Sequence, residues 1–141
     1  MVQIIAGRKG KGKTKYILEM ANTSITEAKG TIVFLDKNVK HMFELDRKIR
    51  LINVCDFPIS TLEAFLGFLC GIISQDHDLE EVYLDSFLTI AALEDNEDEI
   101  ENAIREIDAL GDKYGIRFIL SVSQDKDDLP ESVRGMVTIS L

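Results

Sequence analysis

The sequence predicts an α/β protein, a three-layer α/β/α sandwich built on a mainly parallel sheet. Three observations predict it. Short apolar runs such as Thr31-Ile32-Val33-Phe34-Leu35 and Phe118-Ile119-Leu120 are continuous rather than alternating, as strands buried on both faces require. They are separated by longer stretches whose apolar residues recur at helical spacing, the pattern of repeated strand–helix–strand units. Each run ends in glycine-rich or polar residues, at the carboxyl edge where such sheets hold ligands. With 141 residues, 45% of them hydrophobic, the chain is sized for one domain, residues 1–141, with a core of its own.

The first strand reads Val2-Gln3-Ile4-Ile5-Ala6 and runs directly into Gly7-Arg8-Lys9-Gly10-Lys11-Gly12-Lys13-Thr14-Lys15. Gly7 to Thr14 satisfies G-x-x-x-x-G-K-[ST] in the order strand, turn, helix that a phosphate-binding loop needs. Glycines let successive backbone N–H groups turn inward around an oxyanion without a Cβ in the way. Lys13 supplies a mobile point charge for the outer phosphates, the Thr14 hydroxyl is placed for Mg²⁺, and the following helix aims its positive end at the same spot. Arg8, Lys9, Lys11 and Lys15 add more positive charge than the pattern requires. All nine residues from Gly7 to Lys15 are therefore candidate nucleotide-binding positions.

The helix that starts at Lys13 is expected to reach about Lys29, with Ile17, Leu18, Ala21, Ile25 and Ala28 inward and Gly30 as its stop. A second buried strand, Thr31 to Asp36, ends in a carboxylate. Residues 37 to 48 read as a short helix or wrapped loop, and Arg50 to Val54 as a less buried edge strand. Ser60 or Thr61 caps the next helix, whose Leu62, Phe65, Leu66, Leu69 and Ile73 face inward. Phe68, Cys70 and Ile72 make that helix apolar nearly all round, so it is either central to the core or half of an interface. Gln75-Asp76-His77-Asp78 has metal-ligand residue types at a spacing that fits a solvated turn better.

Glu81-Val82-Tyr83-Leu84-Asp85-Ser86 reads as a buried strand ending in an acid, the place from which an aspartate holds Mg²⁺ through its water shell. With the loop some 70 residues upstream, Asp85 and Thr14 are the candidate metal ligands. Asn96 is expected to cap a helix, with Glu97, Asp98 and Glu99 in its first turn and Ile100, Ala103, Ile104, Ile107 and Leu110 inward. Ile116 to Gln124 is a further strand whose polar end, Ser121 to Gln124, could reach a γ-phosphate or its attacking water. Met136 to Leu141 is a terminal strand.

Charge narrows the ligand class. Residues 1 to 50 carry eleven Lys/Arg against five Asp/Glu, whereas residues 51 to 141 carry five against twenty. A basic ligand pocket in an acidic shell suits a small phosphate compound, and argues against a broad nucleic-acid surface. No apolar stretch is long enough for a membrane span and no hydrophobic leader is evident, so a cytoplasmic location is expected. Cys55 and Cys70, without a C-x-x-C partner, read as free core thiols.

The three stretches Gly7 to Thr14, Tyr83-Leu84-Asp85-Ser86 and Ser121-Val122-Ser123-Gln124 together resemble P-loop NTPases of the RecA/DnaB-like group. That resemblance implies the P-loop NTPase fold with the strand near Ile116 lying between the first strand and the one ending at Asp85. It also implies ATP and Mg²⁺ as ligands and a homo-oligomer or protein partner that completes the site, with Arg105, Arg117 and Arg134 as finger candidates. The chain also looks like short bacterial proteins labelled "twitching motility protein PilT", but lacks the glycine-rich acid motif and histidine box of pilus-retraction ATPases. RecA-like ATPases resemble one another in a glutamate shortly after the second strand. Here Asp36-Lys37-Asn38 stands there, leaving Asp36 or Gln124 to orient water beside Lys13. The expected activity is a slow or partner-stimulated ATPase. The alternatives are a nucleotide-dependent regulatory module without turnover and, less favoured, a small phosphotransferase, for which no arginine-rich lid segment is seen.

Overall fold

The computed structural model describes residues 1–141. Its main elements are β1 (Val2–Ala6), α1 (Lys13–Ser24), β2 (Thr31–Asp36), β3 (Arg50–Asn53), α2 (Leu62–Ser74), β4 (Leu79–Leu84), α3 (Phe87–Ile90), α4 (Ile100–Tyr114), β5 (Arg117–Val122), α5 (Glu131–Arg134) and β6 (Val137–Ser140). The six strands make one sheet in the order β3-β2-β4-β5-β1-β6, and every neighbouring pair is parallel. β5 lies between β1 and β4, the order expected above.

Parallel strands need crossovers, and these cover both faces of the sheet, which is why the central strands are apolar without alternation. On one face Ile5, Ile32, Phe34, Tyr83 and Ile119 pack against Ile17, Leu18 and Ala21 of α1. On the other, Ile4, Val33, Leu35, Leu84 and Phe118 pack against Phe65 and Leu69 of α2 and Ile104 and Ile107 of α4. The edges differ in pattern: β6 alternates half-buried Val137 and Ile139 with exposed Thr138 and Ser140. No helix is long and apolar enough to cross a membrane.

Some local expectations hold and others need correction. α1 ends at Ser24, not near Lys29, because Asn22, Thr23 and Ser24 are weak helix formers, and the chain leaves through turns rather than at Gly30. The helix start expected at Asn96 does not form. Glu97–Glu99 is a single 3₁₀ turn, α4 begins at Ile100, and Asn96 makes no cap hydrogen bond. Gly115, in the left-handed region, terminates α4, and Gly111 stays inside the helix. Thr61 is the cap of α2, accepting from the Ala64 N–H at 3.1 Å. Both cysteines are free but exposed, not core residues. Asp76 to Asp78 form the turn between α2 and β4, with the Asp78 N–H donating to the Asp76 carboxylate.

Candidate phosphate-binding site

β1 delivers the chain to the carboxyl edge of the sheet, and residues 7 to 12 wrap back before α1 starts at Lys13. Gly10 and Gly12 both sit at φ +86°, with no atom near a would-be Cβ, so backbone conformation and not space demands glycine there. The Gly7 N–H is tied to the Gln124 carbonyl at 2.9 Å, and that of Lys11 to the Arg8 carbonyl at 3.3 Å. The N–H groups of Arg8, Lys9, Gly10 and Gly12 have no protein acceptor and join the free N–H groups of the first turn of α1.

Lys13 is 8% exposed, and its ammonium donates to the Arg8 carbonyl at 3.1 Å. Burial pushes its pKa below the usual lysine value, and the Asp85 carboxylate works against that shift. An anion arriving in the loop would add to the second effect and hold the charge in place.

Asp85 stands just past β4 and is 3% exposed. Its two oxygens have separate partners: the Thr14 hydroxyl donates to Oδ2 at 3.1 Å, and the Ser121 hydroxyl donates to Oδ1 at 2.5 Å. Ser121 in turn accepts from the Ser86 N–H at 2.8 Å, and the Asp85 N–H donates to the Leu35 carbonyl at 3.0 Å. Ser86 turns the chain at φ +56°, a conformation uncommon for a residue with a side chain. Helix α1 and strand β5 thus hold the two carboxylate oxygens, and β2 holds the backbone beneath them. Thr14 and Asp85 present hard oxygen donors side by side, a set that fits Mg²⁺, which takes one or two protein oxygens and fills its octahedron with water and phosphate.

A cleft of about 450 Å³ opens over this pair. Lys9, Gly10, Gly12, Lys13, Thr14, Lys37, Asp85, Ser121 and Ser123 line it, together with Ser86, Leu88, Thr89 and Glu94. The structure therefore brings most of the sequence-derived positions together, but not all. Arg8 faces away and pairs with Asp125 at 2.9 Å. The side chain of Gln124 is not part of the cleft wall, and neither is Asp36. All three finger candidates have partners within the chain: Arg117 bonds Glu81, Arg134 donates to the carbonyls of Leu129 and Asp127, and exposed Arg105 pairs with Glu101 at 3.4 Å.

Asp36 is 2% exposed at the end of β2, next to the strand that carries Asp85. Its Oδ1 accepts from the Lys37 N–H at 2.7 Å, and its Oδ2 has no partner. Burial is the main reason its pKa rises to about 6; the Lys37 N–H bond opposes the rise and the Asp85 charge adds to it.

Reasoning from sequence missed Glu94 and Lys37 as cleft residues. Glu94 lay inside an acidic run that reads as a helix start, and only the left-handed turn at Ala92, with the Leu93 N–H donating to the Leu88 carbonyl, directs it to the cleft. Lys37 follows Asp36 and had a visible signal, a cation at the carboxyl end of a parallel strand. Compared with known proteins, the chain matches no family model and no curated protein.

Proposed function

We propose that this chain is a P-loop protein of the RecA/DnaB-like kind that binds Mg-ATP and hydrolyses it slowly or under stimulation by a partner. One observation carries the reading: Lys13 and Thr14 open α1 in the wall of one cleft that Lys9 and Lys37 also line, and Thr14 meets a buried, doubly bonded Asp85 at 3.1 Å. The placement of β5 between β1 and β4 supports the same reading.

In this account the free N–H groups of residues 8 to 12 and the first turn of α1 hold phosphate oxygens, and Lys13 neutralises the outer charge. Lys9 and Lys37 add positive potential at the mouth. Thr14 and Asp85 would hold Mg²⁺, which would supply positive charge to offset that developing on the phosphate. Ser121 orients Asp85. Glu94, the one carboxylate besides Asp85 in the cleft wall, is the group placed to orient water.

A second reading, a nucleotide-dependent module without turnover, draws on the position of Asp36 and Gln124 outside the cleft wall. Calorimetric titration with ATP and Mg²⁺, run beside a phosphate-release assay, tests both. Binding that weakens at least ~100-fold in Lys13→Ala is expected, since the lysine contacts the most charged part of the ligand. Absence of nucleotide binding by the wild type overturns the proposal. Binding without release beyond that of Lys13→Ala selects the second reading.

A further inference from the structure

The β2–β3 connection is a loop with one 3₁₀ turn, Met42–Glu44, and it carries the most exposed large apolar side chain in the protein. Phe43 is 92% exposed, beside half-exposed Val39 and Met42. The Met42 N–H donates to the Val39 carbonyl at 3.1 Å, a turn that puts Val39 and Met42 on one side, next to Phe43. This apolar tip is held out rather than folded down. Leu45 and Ile49 are buried against α1, and the Asn22 side chain donates to the Glu44 carbonyl and accepts from the Asp46 N–H, both at 2.8 Å.

The two legs of the loop are basic. Lys37, Lys40, Arg47, Lys48 and Arg50 are all exposed, and none is in an ion pair. The two acids of the segment are engaged within it: Glu44 with the His41 side chain, and Asp46 with the Lys48 N–H at 2.9 Å. An apolar tip in a basic collar thus stands on a chain whose net charge is −9. Its anchor, Asn22, lies nine residues along α1 from Lys13, about 13 Å at 1.5 Å per residue, so the tip is clear of the phosphate-binding loop.

We propose that this loop docks on an anionic lipid bilayer, with Phe43, Met42 and Val39 entering the boundary between headgroups and acyl chains and the collar cations meeting the charged headgroups. Long Lys and Arg side chains suit that place, since their stems lie along apolar surface while their ends reach the headgroups. A stable protein contact needs about 800 Å² from each partner, which three side chains do not supply, whereas a fluid bilayer needs no matching pocket. A nucleic-acid strand would find one aromatic ring for stacking and an acidic protein beyond it, because residues 51 to 141 carry five Lys/Arg against twenty Asp/Glu. A bilayer touches the tip alone. The contact needs no bound nucleotide.

The protein has no tryptophan, so Phe43→Trp places a single fluorescent reporter at the tip. With vesicles of phosphatidylserine and phosphatidylcholine, its emission is expected to shift to the blue and the protein to co-sediment with the vesicles. Vesicles of phosphatidylcholine alone should bind at least ~10-fold more weakly, and added salt should weaken binding to the anionic ones. Phe43→Asp should lower the vesicle partition coefficient at least ~10-fold, and Lys40→Ala/Lys48→Ala about 25-fold, at about fivefold per charge. These positions are exposed, and circular dichroism verifies that the variants are folded. Lys13→Ala should partition as wild type does, which separates this contact from the phosphate-binding reading. A wild type that does not co-sediment with anionic vesicles, a Phe43→Trp emission that stays unshifted while the protein co-sediments, or vesicle binding that is lost in Lys13→Ala overturns the proposal. So does an emission change with a single-stranded oligonucleotide and none with vesicles.

Discussion

Replacing Asp36 by asparagine should stabilise this protein at neutral pH, although the residue lies beside the candidate site. The carboxyl is 2% exposed, one of its oxygens has no partner, and its pKa rises from 3.8 to about 6. A raised carboxylate pKa means the folded state binds the proton more tightly than the unfolded state. Stability is therefore fullest at acid pH and falls as pH climbs through the interval from 3.8 to about 6. At about 1.4 kcal/mol per unit, the ionised form costs up to ~3 kcal/mol above that interval. Asparagine keeps the shape and an oxygen for the Lys37 N–H while removing the charge. Asp36→Asn should thus gain up to ~3 kcal/mol at pH 8, about half as much at pH 5 and nothing near pH 3. Urea unfolding followed by circular dichroism in EDTA measures this directly. A variant destabilised at pH 8, or one whose gain is the same at pH 5 and pH 8, refutes the argument.

Three further outcomes follow from the geometry. Ser121→Ala removes the donor that orients Asp85, so the Mg²⁺ concentration needed for ATP binding should rise about 10- to 100-fold in titrations, the usual cost of losing such a support. Glu94→Gln should leave nucleotide affinity within about twofold of wild type while lowering phosphate release at least ~100-fold, the scale of a general-base contribution; equal losses in both would assign Glu94 to binding instead. Arg117→Met strands the Glu81 carboxylate, which is left with only the Tyr83 hydroxyl at 3.0 Å. Since the Arg117 side chain is 38% exposed, solvent should limit the loss to about 2 kcal/mol in denaturant unfolding, with partial recovery in Arg117→Met/Glu81→Met.

The α/β class, all six strands and the loop from Gly7 to Thr14 were legible because each rests on local rules. A strand covered on both faces must be continuously apolar, and a loop that turns N–H groups inward must place glycine where φ is positive. β2 matches its expected range, Thr31–Asp36, residue for residue. Helix ends were less legible. The acid run at residues 94 to 99 fits the first turn of a helix by local electrostatics, yet the left-handed turn at Ala92 places Glu94 at the cleft and delays α4 until Ile100. Cys55 and Cys70 show the same limit, since a thiol's burial depends on which face of its element meets the core.

By itself, the sequence determined the type of sheet and the position of a glycine-rich turn between the first strand and a helix that opens on Lys13 and Thr14, because these are set by residues adjacent in the chain. Only the tertiary structure decided which carboxylates share the cleft. Asp85 and Thr14 meet because β4 and β1 end at the same edge of a parallel sheet with β5 between them, and Ser121 on β5 then locks the aspartate. Asp36 ends a strand of the same sheet, yet it is buried beside that edge with one oxygen unpartnered, while Glu94 reaches the cleft. Residues far apart in sequence acquire their neighbours from strand order and packing, and no local pattern encodes that choice.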